Sequence, residues 1–592
     1  MKRCLLVLLL AGWAHASPAP STLIANLSGR TTVSLNGAWR AIVDPFENGK
    51  AAGFYRNEKP RNKGDRVEYS FDASPVLNIP GDWNTQREQL TFYEGPVWYR
   101  REFNYHKRAN PRVFVYFGAA NYQTAVYLNG EKLGEHEGGF TAFNFEATSV
   151  LREGENFLIV EVSNVRRADA VPALKFDWWN YGGITREVML VELPTVFVQD
   201  YFVQLARGSQ SQISGWVRLN GAQSPEKIRL EIPEAGIHET LTSDAAGRAI
   251  VHFTAKLELW SPAHPKLYNV ILSSGIDTVR DEIGFRTIEV QGANILLNGR
   301  PIFLRGISMH EEAPFREGRG FSLEDAQTLL GWVKDLGCNF VRFAHYPHNE
   351  NEIRLADRMG LMVWSEIPVY WDIDWSNPAT LTNAEEQLRD EIARDHNRAA
   401  VILWSLSNET PVKPERLTFL KQLAQNAREL DSTRLLTSAM NHVDSPAPDV
   451  RTLSDPLGEV LDVLGLNEYL GWYGGRAEDA DKMQWKVAWN KPLIVSEFGG
   501  GAQYGRHGDA DEIWTEEYQE SLFQHQLGMV ERMSNLAGLT PWVLMDFRSP
   551  ARMLPGVQDY HNRKGLISNR GQRKLAFYTL QKFYKKLAEA GN

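Results

Sequence analysis

Cysteine is nearly absent: among 592 residues there are two, Cys4 and Cys338. Cys4 falls in an N-terminal apolar run read below as a cleaved leader, so the mature chain keeps one thiol and no internal disulfide. Cys338 enters the apolar strand "CNFVRF" and reads as a buried small hydrophobe. The apolar run itself, Cys4 to Trp13, is short of the ~20 residues a membrane-spanning helix needs. Excess positive charge is missing too. Lys and Arg number 64 against 73 Asp and Glu, a formal net charge of −9, which excludes a sequence-independent grip on nucleic acid or an anionic membrane. "HYPH" (345–348) offers two histidines but no third metal ligand at a recognisable spacing. "GGGAQYGRHGD" is glycine-rich, yet it opens no helix directly and so fails as a phosphate cradle. No metal and no cofactor are expected.

What is present begins with "MKRCLLVLLLAGWAHASPAP": two cations, the apolar run, then Ala14-His15-Ala16 as a small-residue cleavage site. This pattern predicts a signal peptide over residues 1–16, and with it a periplasmic or secreted protein. Nothing before Cys4 resembles a lipidation motif, so no membrane anchor is expected. At 43% hydrophobic and 23% charged residues, the chain can bury several cores.

From 17 to 195 the text alternates with period two in short runs such as "RVFVYFG", "TAVYLNG", "ENFLIVEV" and "REVMLVEL". Asn-Gly pairs at 36/37 and 129/130 carry the chemistry of type I′ hairpin turns. This predicts an N-terminal β-sandwich. A second strand-rich stretch, 196–288, has the size and spacing of an immunoglobulin-like sandwich. From 289 to 592 the period changes. "SLEDAQTLLGWVKDLG" (322–337) repeats its apolar residues at helical spacing, with Ser322 as N-cap and Gly337 as stop. Helices then alternate with short apolar strands, from "FLRGIS" (303–308) as the first to "TPWVLMDF" (540–547) as the eighth. Eight strands in this length predict a (β/α)8 barrel.

Barrel enzymes keep their sites where strands stop, so polar residues there are the candidates. The strand ends supply His310, Arg342 with His345, Glu366, Asn408 with Glu409, Asn467 with Tyr469, Glu497, and Trp542, Asp546 and Arg548. Glu409 and Glu497 close strands four and seven and would face one another across the mouth, the arrangement of glycoside hydrolysis. Glu366 reads better as structural. His345 is assigned to sugar contact or packing. Asn408-Glu409-Thr410 also matches a glycosylation sequon, but a buried strand end makes catalysis the better reading.

At this point the chain resembles glycoside hydrolase family 2 over nearly its whole mature length. The resemblance is carried by the three-domain order, "LWSPAHPKLY" (259–268), "GFRTIEVQGANILLNGRPIFLRGISMHE", "SLSNE" and "VSEFGG". It implies a jelly-roll, sugar-binding-like first domain and a retaining, exo-acting hydrolase with Glu409 as acid/base and Glu497 as nucleophile. It further implies that Asn408 meets the sugar 2-hydroxyl and that Tyr469 supports the nucleophile. β-Glucuronidases of this family hold the sugar carboxylate with an Asn-x-Lys element, matched here by Asn562 and Lys564 in "HNRKG". Asp177 in "DWWNYGGITRE" resembles a residue reaching into that pocket from the first domain. Arg548 is a further candidate for the carboxylate, and Arg563 is read as a surface or structural residue.

The sequence departs from the best-known members in Thr410, where proline is frequent, and in the short segment after "WSEIPVYW". With no covering insertion the cleft is expected to be open, suiting uronic-acid-terminated oligosaccharides. Trp371, Trp375, Trp472 and Tyr473 are candidates to stack on sugar rings. A β-galacturonidase, a neutral-sugar enzyme of the family (β-galactosidase or β-mannosidase) and a non-catalytic carbohydrate-binding protein remain the alternatives. A homo-oligomer is compatible with the sequence.

Overall fold

The computed structural model describes residues 22–59, 69–108, 110–444 and 447–590. The predicted leader, 1–16, lies outside them. The first domain stacks a four-stranded sheet (Thr31–Ser34, Val188–Leu193, Arg112–Phe117, Phe143–Glu146) on a six-stranded one. Alternate residues such as Val115, Phe117, Val126, Leu158 and Val160 fill the space between them. Asn129 and Gly130 adopt φ of 53° and 88° and join Gln123–Leu128 to Glu131–Glu137, as a type I′ turn requires. Asn36-Gly37 does not make the expected hairpin. The strands on either side lie in different sheets, and the Asn36 side chain accepts from the Val188 amide at 2.8 Å, so the pair marks a crossover. The second domain has seven strands in sheets of three and four around Val203, Val217, Leu230 and Leu272.

The barrel strands are β1 (Leu304–Arg305 continuing in Ser308–Met309), β2 (Phe340–Phe343), β3 (Met362–Glu366), β4 (Val401–Asn408), β5 (Leu435–Asn441), β6 (Leu464–Asn467), β7 (Leu493–Glu497) and β8 (Leu536–Leu539). All pair in parallel, and the split β1 closes the ring: its first half pairs with β8, its second with β2. Helices α1 (Leu323–Asp335), α2 (Glu350–Met359), α3 (Pro378–Asp395), α4 (Pro414–Leu430), α5 (Glu516–Val530) and α6 (Leu575–Glu589) surround it. Helix α1 starts in a capping box, Ser322 with Asp325, and Gly337 follows it at φ 88°.

The eighth strand differs from expectation. It ends at Leu539, before Pro541, which has no N–H to give a ladder. The chain beyond folds over the mouth as a two-stranded ribbon, Phe547–Arg548 against His561–Asn562. The loop 164–187 of the first domain also covers the mouth, anchored by buried Arg186 and Arg319, each 3.0 Å from Glu311.

Candidate active site

The carboxyl ends of β2, β3, β4 and β7 converge on one guanidinium. Arg342 is fully buried and donates to Glu497 Oε1 at 2.7 Å, Glu366 Oε1 at 2.9 Å and Asn408 Oδ1 at 2.8 Å. Register shifts in the β4/β5 and β6/β7 ladders fall at Asn408 and Asn467, where bulges turn side chains toward the mouth. Glu497 Oε2 accepts from Tyr469 OH at 2.7 Å. Donors on both oxygens therefore fix the orientation of Glu497.

Glu409 sits one residue beyond β4 in the left-handed region, φ 51°. Its Oε1 accepts from Asn467 Nδ2 at 3.0 Å and its Oε2 from Trp371 Nε1 at 2.9 Å. Asn467 is also the register partner of Glu497, so one asparagine spans the two carboxyl groups. Among the described residues no cation donates a hydrogen bond to Glu409. Burial, then the charge of Glu497, push its carboxyl above the usual range, against the two hydrogen bonds and nearby His345. Asn408 is buried, and its Nδ2 has no partner among the described residues. That donor is buried beside the pair, which also disposes of the sequon.

Aromatic rings wall the pocket. Trp542 is buried and stacks on His345 at 4.8 Å. Trp178, from the first-domain loop, packs 5.8 Å from His345 and 5.0 Å from Tyr370. His345 Nδ1 lies 2.8 Å from Glu366, whereas His348 Nδ1 is 2.7 Å from Glu352, so the two histidines of "HYPH" serve different carboxylates.

Beyond Tyr469, which bonds Glu497, lies a cationic group. Lys564 is 3% exposed, and among the described residues it forms no ion pair. Its Nζ donates to Tyr473 OH at 2.7 Å and lies 4.8 to 5.6 Å from the ring centres of Tyr473, Tyr469 and Trp472. Asn562 Oδ1 accepts from the Lys564 amide at 3.2 Å and its Nδ2 donates to Asp177 at 3.2 Å. Asp177 also takes Ser549 Oγ at 2.6 Å and an ion pair with Arg552. The chain therefore holds Asp177 by three partners at the pocket edge.

Two expectations change. Arg548 does not face Lys564: it lies on the ribbon face opposite Phe547, its guanidinium 3.9 Å above Trp179 and 3.4 Å from Glu317. Period two along the ribbon dictates this. Trp375 packs instead against helix α4, edge-on to Phe419 at 5.3 Å, with its Nε1 on Asp372. Trp472 is half-buried and edge-on to Trp514. Sequence reading missed the hub role of Arg342, the donor Trp371, and Arg552; a charge inside an apolar strand was the available signal for the first. Arg563 is structural, bonded to Val557 O and Asn569.

Three family models match in chain order: the glycosyl hydrolases family 2 sugar binding domain over 33–194, the glycosyl hydrolases family 2 domain over 196–286, and the family 2 TIM barrel domain over 288–588. A beta-glucuronidase of Paenibacillus borealis is 27% identical, covering 95% of this chain and 98% of the relative. The beta-glucuronidase of Canis lupus familiaris is 29% identical over 94% and 91%. Among solved structures, a β-glucuronidase from Ruminococcus gnavus in complex with D-glucuronic acid superposes with a TM-score of 0.81 at 25% identity, covering 94% and 98%. Three domains in family order, ending in a barrel whose mouth holds two buried carboxyl groups, make this chain a member of glycosyl hydrolase family 2 and a glycoside hydrolase.

Proposed function

We propose that the chain removes a terminal β-linked glucuronic acid from oligosaccharides or polysaccharide fragments, with retention, through a covalent glycosyl-enzyme intermediate. The observation that carries the substrate is Lys564, a buried ammonium that forms no ion pair among the described residues and lies against Tyr469, the residue bonded to Glu497. A uronate carboxylate would neutralise it, while a neutral hydroxymethyl group would leave the charge unmatched. The relatives named beta-glucuronidase point the same way.

The mechanism follows from the two carboxyl environments. Glu497, aimed by Arg342 and Tyr469, attacks the anomeric carbon as the glycosidic C–O bond breaks. Glu409 gives its proton to the departing oxygen. Once esterified, Glu497 carries no charge, so one of the two causes pushing Glu409 up disappears. Glu409 can then take a proton from water as water displaces Glu497 and frees the sugar. The unpartnered Asn408 Nδ2 is the donor available to the 2-hydroxyl.

Activity on matched aryl β-glucuronide, β-galacturonide, β-galactoside and β-mannoside tests the reading. Lys564→Ala should lose uronide hydrolysis selectively, by ~10² or more in kcat/KM. An equal loss on neutral glycosides would refute carboxylate recognition. Export is part of the proposal: N-terminal sequencing of protein expressed in a bacterium should read from Ser17, and an intact Met1 would remove it.

A further inference from the structure

We infer that Trp371 is a positioning residue for the acid/base, its indole N–H fixing the Glu409 carboxyl at the leaving oxygen and supporting its ionised form in the second half-reaction. The inference rests on Glu409 being the acid/base.

Geometry singles Trp371 out from the other aromatic residues of the mouth. It is half-buried and reaches Glu409 Oε2 at 2.9 Å, while Asn467 occupies Oε1 at 3.0 Å. Both oxygens are therefore oriented by neutral donors. The groups facing Glu409 from the other elements are Glu497 on β7, His345 after β2, Tyr370 after β3 and Tyr469 after β6. None of these makes a hydrogen bond to it in this structure. The indole is itself rigidly presented. The Trp371 amide donates to Asn408 O at 3.0 Å, and Asn408 N to Val369 O at 2.9 Å, so the chain after β3 is laced to the end of β4. Trp371 and Glu409 both occupy the left-handed region, φ 54° and 51°. Such conformations are costly for non-glycine residues and persist where surrounding contacts enforce them. Tyr370 supports the ring at 4.6 Å and is held in turn by Trp178 and His345.

The consequence concerns the two halves of the reaction differently. In the first, Glu409 must hold a proton and pass it to the oxygen leaving C1. In the second, it must be ionised to accept a proton from water while the bond from C1 to Glu497 breaks. A donor to the carboxylate favours the ionised form, so Trp371 opposes the burial and the Glu497 charge that favour the acid. It keeps the group able to work in both directions.

Trp371→Phe removes the N–H and keeps a ring. The alkaline limb of kcat/KM should move up by about one pH unit, the size of one charge-assisted hydrogen bond. On an activated aryl uronide, release of the enzyme-bound sugar should become limiting and kcat fall about tenfold. Azide, a nucleophile that needs no base, should restore the rate and give the glycosyl azide, with no acceleration of the parent enzyme. An unmoved limb with no azide response, or a raised KM with unchanged kcat, would leave Trp371 as packing or a sugar platform and overturn the inference. Glu409→Ala in the same assay separates the two levels: it too should respond to azide, and its failure to do so would instead sink the acid/base assignment.

Discussion

Strands β3 and β4 lie side by side and each leads into a glutamate at the mouth, yet the two carboxyl groups are shifted in opposite directions. Glu366 takes Arg342 on Oε1, His345 on the same oxygen and Trp364 Nε1 on Oε2. Burial alone would raise it; Arg342 and His345 outweigh burial and hold it down at about 2. Glu409, three-dimensionally adjacent, is offered only neutral hydrogen bonds and faces another carboxylate, so burial and like charge prevail and it is pushed up. The difference lies in where one arginine points. Arg342 reaches Glu366, Glu497 and Asn408 but not Glu409, which leaves burial and the Glu497 charge to push Glu409 up.

The largest effect expected from disturbing this division comes at Glu497. Glu497→Gln removes the nucleophile and the charge that helps push Glu409 up. Turnover should fall by ~10³ or more, with the fold retained by circular dichroism. Titration of Glu409 in that variant, followed by infrared or NMR, should move down toward the ordinary carboxylate range. Appreciable residual turnover would end the nucleophile assignment, and an unmoved Glu409 would show burial alone to be responsible.

The barrel was legible because its strands are apolar runs that stop abruptly at polar residues, and Glu409, Glu497, Asn467 and Tyr469 occupy such stops. Lys564 and Asn562 were legible only through the family resemblance, and the structure brings them together beside Asp177 and Tyr473. What failed had a common cause. Arg548 looked like an extension of the eighth strand, but that strand ends at Leu539 and Arg548 belongs to a ribbon with its own inside and outside. Asn36-Gly37 has the same letters as Asn129-Gly130, yet only the second joins two paired strands. Arg342 stood in view at a strand end, but its three partners come from three other strands, and such convergence is a property of the closed ring. Trp371 depends on a left-handed backbone that no residue type there announces.

A smaller effect, on stability rather than turnover, separates Glu366 from Glu409. Because the folded protein holds Glu366 down at about 2 against an ordinary value of 4.5, its contribution is complete above pH ~4.5 and is lost as pH falls toward about 2. Glu366→Gln keeps the shape but leaves Arg342 with Glu497 as its only carboxylate. The cost at pH 7 should be about 3 kcal/mol, the low end for breaking a buried pair. It should shrink as both proteins are unfolded in urea at pH 4 and then pH 3, since below pH ~4.5 the unfolded parent takes up a proton on Glu366 that the folded parent does not bind. For Glu409 the sign reverses: a group raised in the fold favours folding most below its unfolded value and loses that advantage as pH rises through the folded one. A Glu366→Gln cost that stayed constant from pH 7 to pH 3 would show that shape and hydrogen bonding, and not the charge on Arg342, distinguish the two glutamates.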